Sequence, residues 1–174
     1  MANTYVLITS STVGSGGASS IDFTSIPSTY TDLLLYCSLR DSASGTGVQN
    51  LFLSYNGTTT GYYDRMLYGN ENGAQSATRS NQADSRYQYY PGAILTSNVF
   101  SNNILYIPEY AGSNNKSGIS DAAVENNAST NWNLSMNGVY LSNTAAITSI
   151  KLAPTTGGTF AQYSTAYLYG IKNS

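Results

Sequence analysis

The sequence predicts an all-β domain, an antiparallel two-sheet β-sandwich of jelly-roll type. Two patterns lead there. Apolar residues recur at every second position, the period of a half-buried strand. Clusters of Gly, Ser and Asn punctuate short segments rich in β-branched and aromatic residues. No stretch carries a helical period of useful length, and residues 121–127 offer one turn at most. About ten short strands in a chain of this length fit a sandwich. No linker and no internal repeat divides residues 1–174, which read as one domain.

The elements follow in order. Residues 5–9 open as a strand, and 12–20 form a Gly/Ser loop. Residues 21–23 are short and extended. Residues 32–40 make the best strand: Leu33, Leu35, Cys37 and Leu39 share one face, and Leu34, Tyr36, Ser38 and Arg40 share the other. That predicts a central strand with one face in the core. Residues 48–55 end at Asn56-Gly57, a two-residue turn signal. Residues 61–68 follow. Residues 69–85 are polar and aperiodic, and read as the longest loop, removable without loss of the fold. Loops of that length usually contact a partner. Strands are expected at 87–96, 104–107, 118–124, 132–141, 146–152 and 160–171. Pro108 ends its strand, and Asn137-Gly138 can split 132–141 into a hairpin.

Composition narrows the function. Charged residues are 9% of the chain, against about 25% in an ordinary domain. Seven Lys+Arg oppose nine Asp+Glu, with no His. Seven scattered cations build no phosphate-neutralising patch, so nucleic acid is not an expected partner. No segment approaches the roughly 18 apolar residues of a membrane helix. The first ten residues lack the basic region of a leader and their apolar run is too short for one, which implies synthesis in a cytoplasm. Ser, Thr and Asn exceed a third of the chain, with 16 Tyr. Such a surface suits packing against proteins or sugars, although strands favour Tyr and Thr in any sandwich.

No catalytic, cofactor or metal site is expected. Without His there is neither a nucleophile–imidazole pair nor an imidazole ligand. The carboxylates are dispersed, and a glycosidase pair would need two of them to meet in space. Cys37, mid-strand on the face of Leu33, Leu35 and Leu39, reads as a small buried hydrophobe. Partner contact is expected from the 69–85 loop, through Asn70, Glu71, Arg79 and Asp84, and from the 112–117 tip, through Asn114 and Lys116. An alternative is a sugar-stacking platform of Tyr89, Tyr90 and Trp132.

Several segments resemble a family of tailed-bacteriophage virion surface proteins, which includes capsid decoration or cement proteins and head- and tail-fibre modules. They are 23–35 with Ile26-Pro27 and Leu33-Leu34-Leu35, then Leu53-Ser54-Tyr55-Asn56-Gly57. Next come 104–112 with Ile107-Pro108-Glu109-Tyr110, followed by Lys116. The last are 146–152, Gly157-Gly158-Thr159-Phe160, and 164–172 with Leu168-Tyr169-Gly170-Ile171. The resemblance implies a jelly roll, often trimeric, on the outer surface of a capsid, where it binds the major capsid protein. A receptor- or carbohydrate-binding fibre module is the alternative. None of these segments is a binding motif, so the resemblance transfers no site residue.

Overall fold

The computed structural model describes residues 4–86, 88–155 and 157–172. It is a two-sheet sandwich of twelve antiparallel strands: β1 Tyr5–Thr12, β2 Ile21–Phe23, β3 Asp32–Ser38, β4 Val48–Tyr55, β5 Tyr62–Asn70, β6 Gly73–Gln82, β7 Tyr89–Pro91, β8 Asn102–Ile107, β9 Lys116–Val124, β10 Asn133–Leu141, β11 Ile150–Pro154 and β12 Thr165–Ile171. The large sheet runs β1-β12-β3-β8-β9-β10-β5-β6, and the small one β2-β11-β4-β7.

The core lies between the sheets. Leu33, Leu35, Cys37 and Leu39 bury their side chains there with Leu51, Leu53, Leu152, Leu168 and Phe160. β3 is central, as its alternation predicts, with β12 on one side and β8 on the other. Burial pushes the Cys37 thiol far up, which leaves it protonated and unreactive.

Asn56-Gly57 forms its turn, with φ of 52° and 64° and a bond from Thr58 N to the Tyr55 carbonyl at 2.9 Å. It carries the chain from the small sheet to the large one instead of closing a hairpin. The Asn56 side chain then pins the next crossing. Its Oδ1 accepts from Thr148 N and Ser149 N at 2.8 and 3.0 Å, and its Nδ2 donates to the Ala146 carbonyl at 2.8 Å. Residues 146–149 are therefore bonded to a turn, and β11 starts only at Ile150.

Four further expectations are corrected. Asn137-Gly138 makes no hairpin: both residues sit in β10, paired to β9 from Asn133 to Leu141 and to β5 from Leu134 to Leu141. Residues 121–124 continue β9 and form no helical turn. Of the strand expected at 87–96, Tyr87 lies outside the described residues, and the pairing ends at Pro91. Arg40, expected on the outward face, is instead buried. Its Nη1 donates to the Thr96 and Val99 carbonyls at 2.7 and 2.9 Å, and its Nη2 to Ala93 and Leu95 at 3.2 and 2.9 Å. The chain after β7 is wound on this guanidinium, which takes those carbonyls out of any ladder.

Gly170 marks the tightest contact on β12. A Cβ there would lie 2.2–2.5 Å from the Tyr30 ring. Gly170→Ala is expected to lose about 2 kcal/mol of stability, the scale of overpacking a filled site. Urea unfolding of both proteins checks this; an unchanged midpoint would show that Tyr30 swings away freely.

Candidate docking face

Residues directly opposite on paired strands share a face, so the register defines the rows of the large sheet. One outward row reads Ser76, Leu67, Met136, Asp121, Ile104, Tyr36, Tyr167 and Ser10 across all eight strands. The next reads Thr78, Arg65, Gly138, Ile119, Tyr106, Leu34, Tyr169 and Leu7. The outer face of an antiparallel sheet is ordinarily polar. Here Leu67 is 65% exposed, Met136 55%, Tyr36 42% and Tyr167 38%. The exposed charges in these two rows are Arg65 and Asp121. A continuous apolar surface of this kind marks an interaction site.

The face has two chemistries. Over β9, β10, β5 and β6 it is aliphatic and grooved. One groove of about 410 Å³ runs over Arg65, Leu67, Thr78, Ile119, Met136 and Gly138, and another of about 500 Å³ over Leu67, Gly69, Ala74, Leu134 and Met136. Over β8, β3 and β12 it is aromatic. Tyr36 meets Tyr169 edge-on with centroids 6.1 Å apart. Tyr106 Oη donates to Asp32 Oδ2 at 2.8 Å. That bond, helped by burial, pushes the Tyr106 phenol up to about 12.

The residues expected to meet a partner are dispersed. Residues 69–85 are not a loop: β6 occupies most of the stretch, hydrogen-bonded to β5. Asn70 and Glu71 sit at the hairpin tip, where Asn70 Oδ1 accepts from Asn72 N at 2.9 Å. Glu71 is exposed there. Asn114 is exposed in the loop before β9. The register puts these two loops at opposite ends of β10, since Leu134 pairs with Gly69 and Leu141 with Lys116.

Arg79, Asp84, Lys116 and Tyr90 do not fit a contact role, because each is turned inward. Arg79 Nη1 lies 3.1 Å from Asp64 Oδ2, and its Nη2 3.2 Å from Asp84 Oδ1, with both carboxylates buried. Arg86 Nε reaches the same Asp84 oxygen at 2.6 Å. Ser85 Oγ donates to Asp64 Oδ1 at 2.6 Å. Burial raises Asp64 above the ordinary carboxylate range, while Ser85, Arg79 and Asn137 work against that rise. This cluster fastens the β5–β6 hairpin to the body, so removing 70–84 would strip a sheet edge and break the cluster. Two carboxylates do meet in space here, but a guanidinium stands between them. Lys116, 2% exposed, donates through Nζ to the carbonyls of Gly112 at 2.6 Å, Asn114, and Thr144 at 3.2 Å. Desolvation lowers its ammonium below the usual lysine value.

The proposed sugar platform does not assemble either. Tyr90 is in the core, with its ring edge-on to Phe160 and its hydroxyl 3.2 Å from Asp41 Oδ2. Tyr89 packs on Tyr68, and Trp132 Nε1 donates to the Ser129 carbonyl at 3.2 Å. On the outer face of the large sheet Tyr36, Tyr106, Tyr167 and Tyr169 share one patch, and Tyr63 and Tyr140 meet edge-on with centroids 5.7 Å apart on β5 and β10. Strand alternation put Tyr36 outward; aligning the others with it needed the order of the strands. No family model and no curated protein matches the chain.

Proposed function

We propose that the protein is a structural virion protein that decorates the outer surface of a bacteriophage capsid, binding the major capsid protein and itself. The observation that carries this reading is the outer face of the eight-stranded sheet. It displays aliphatic and tyrosine side chains from β5 across to β1, seven of its eight strands, with Arg65 and Asp121 as the exposed charges of its two long rows. Such a face is favourable only against another surface. Tyr supplies contact area with little rotamer entropy to lose. Repetition on a lattice adds avidity to each modest contact. The jelly-roll connectivity and the virion location implied by the resemblance belong to this proposal.

The test is the copy number of the chain in purified virions, by quantitative mass spectrometry against the major capsid protein. A sizeable fraction of the capsid copy number is expected. Absence from particles overturns the virion reading.

A few copies per particle would favour a second reading, a head- or tail-fibre module that binds a receptor or carbohydrate. What favours it is the tyrosine surface around Tyr36 and Tyr167, where sugar rings stack on exposed aromatics. Glycan binding lost in Tyr36→Ala would support that reading, and a blank glycan array with the unaltered chain would count against it.

A further inference from the structure

We infer that two copies of the chain pair face to face, about a two-fold axis, across the outward rows of β9, β10, β5 and β6. The inference rests on the reading of this face as a protein-binding surface and names its partner on the aliphatic half.

The surface has knobs and dents. Leu67, Met136, Ile119 and Leu134 are each more than half exposed. Between them lie Gly69 and Gly138. A Cβ at Gly138 would meet only the Arg65 carbonyl oxygen, at 3.9 Å, and one at Gly69 would meet nothing within 4 Å. These dents are open to solvent, so the fold leaves them unfilled. A second copy brings the apolar side chains that fill them.

The charges indicate a second copy over a foreign chain. Arg65 lies opposite Gly138 on one side of β10, and Asp121 opposite Met136 on the other. The point midway between them falls on β10, between Met136 and Gly138. A two-fold axis through that point, lying in the plane of the face, sets Arg65 of each copy against Asp121 of the other. With strands about 4.8 Å apart and about 3.4 Å per residue, the same operation carries Ile119 of one copy toward the Gly138 dent of the other. The charge exchange and the knob-in-dent fit are thus met by one axis, as an isologous contact requires. Arg65 Nη1 is already held by the Asp64 and Arg79 carbonyls at 2.8 and 3.0 Å, so little side-chain freedom is lost on pairing. Four strands give roughly 450 Å² in projection, more once side-chain relief is counted. Counted on both copies that is about 900 Å² before side-chain relief, below the roughly 1,200 Å² at which standard stable contacts begin, so the pair is a weak, concentration-dependent one.

The experiment is sedimentation equilibrium of the full chain at tens of micromolar, with circular dichroism to check folding. The unaltered chain is expected to be dimeric. Arg65→Asp and Asp121→Arg, both at exposed positions, each weaken the dimer by about tenfold or more. The double exchange, Arg65→Asp with Asp121→Arg, restores it. Gly138→Val fills the dent, for which the fold has room, and also weakens it. A monomer at these concentrations overturns the inference. So does a trimer, or a dimer indifferent to both single exchanges. The measurement needs no virion, so a chain absent from particles can still prove dimeric, and a decorating chain can prove monomeric.

Discussion

Replacing Arg79 by methionine is expected to cost about 3 kcal/mol at neutral pH, the scale of leaving a buried charge uncompensated. Asp64 is fully buried and Asp84 nearly so, and the Arg79 guanidinium lies within 3.2 Å of both. Methionine fills the space and removes the cation. The loss depends on pH with a definite sign. Burial already raises Asp64, and Arg79 opposes that rise. Without Arg79 the folded-state value climbs further. A carboxylate raised in the folded state holds its proton more tightly there than in the unfolded chain. The deficit is therefore largest above the new folded value and shrinks as pH falls through it. Urea unfolding at pH 7 and pH 4 reads both the size and the direction. A deficit equal at the two values would show that Asp64 is not the group left uncompensated.

Arg40→Leu is expected to cost about 4 kcal/mol, from four carbonyl acceptors at about 1 kcal/mol each. Two guanidinium nitrogens reach the carbonyls of Ala93, Leu95, Thr96 and Val99. Arg40→Lys keeps the charge but loses the planar fork, so it recovers only part of the loss. Hydrogen exchange should rise first in residues 92–101. If exchange there is unchanged while the midpoint drops, the guanidinium is not what winds that segment.

The central strand was legible because one-sided burial writes its own period. Leu33, Leu35, Cys37 and Leu39 alternate with less apolar neighbours, and β3 lies where that alternation puts it. β6 was illegible for the complementary reason. It is an edge strand built mainly of Ala, Ser, Thr and Gln, with one face exposed and the other only half-buried at Gln75, Ala77 and Arg79. No alternation survives when neither face meets a core. Its one local signal was Asn72-Gly73, the same dipeptide as the turn at Asn56-Gly57. Arg79, Asp84 and Lys116 read as surface charges because a buried ion depends on partners distant in sequence: Thr144 closes the cage of Lys116 from 28 residues away. The outer face shows only when eight strands are placed side by side. Ile119 and Met136 each sit alone in sequence among small or polar neighbours, and pairing joins them with Leu67 into a surface.

The Asn56 crossing also bears on how the molecule ages. An Asn followed by Gly loses its side-chain amide when the next backbone nitrogen attacks the side-chain carbonyl carbon, and asparagine is among the thermolabile residues for that reason. The chain has three such dipeptides, at Asn56, Asn72 and Asn137. The Asn56 carboxamide is clamped by Thr148, Ser149 and Ala146, and Asn137 is buried within a strand paired on both sides. Neither can readily swing into position for the attack. Asn72 stands exposed at the hairpin tip. Chemical wear therefore begins there, adding a negative charge beside Glu71 while the sandwich itself stays intact.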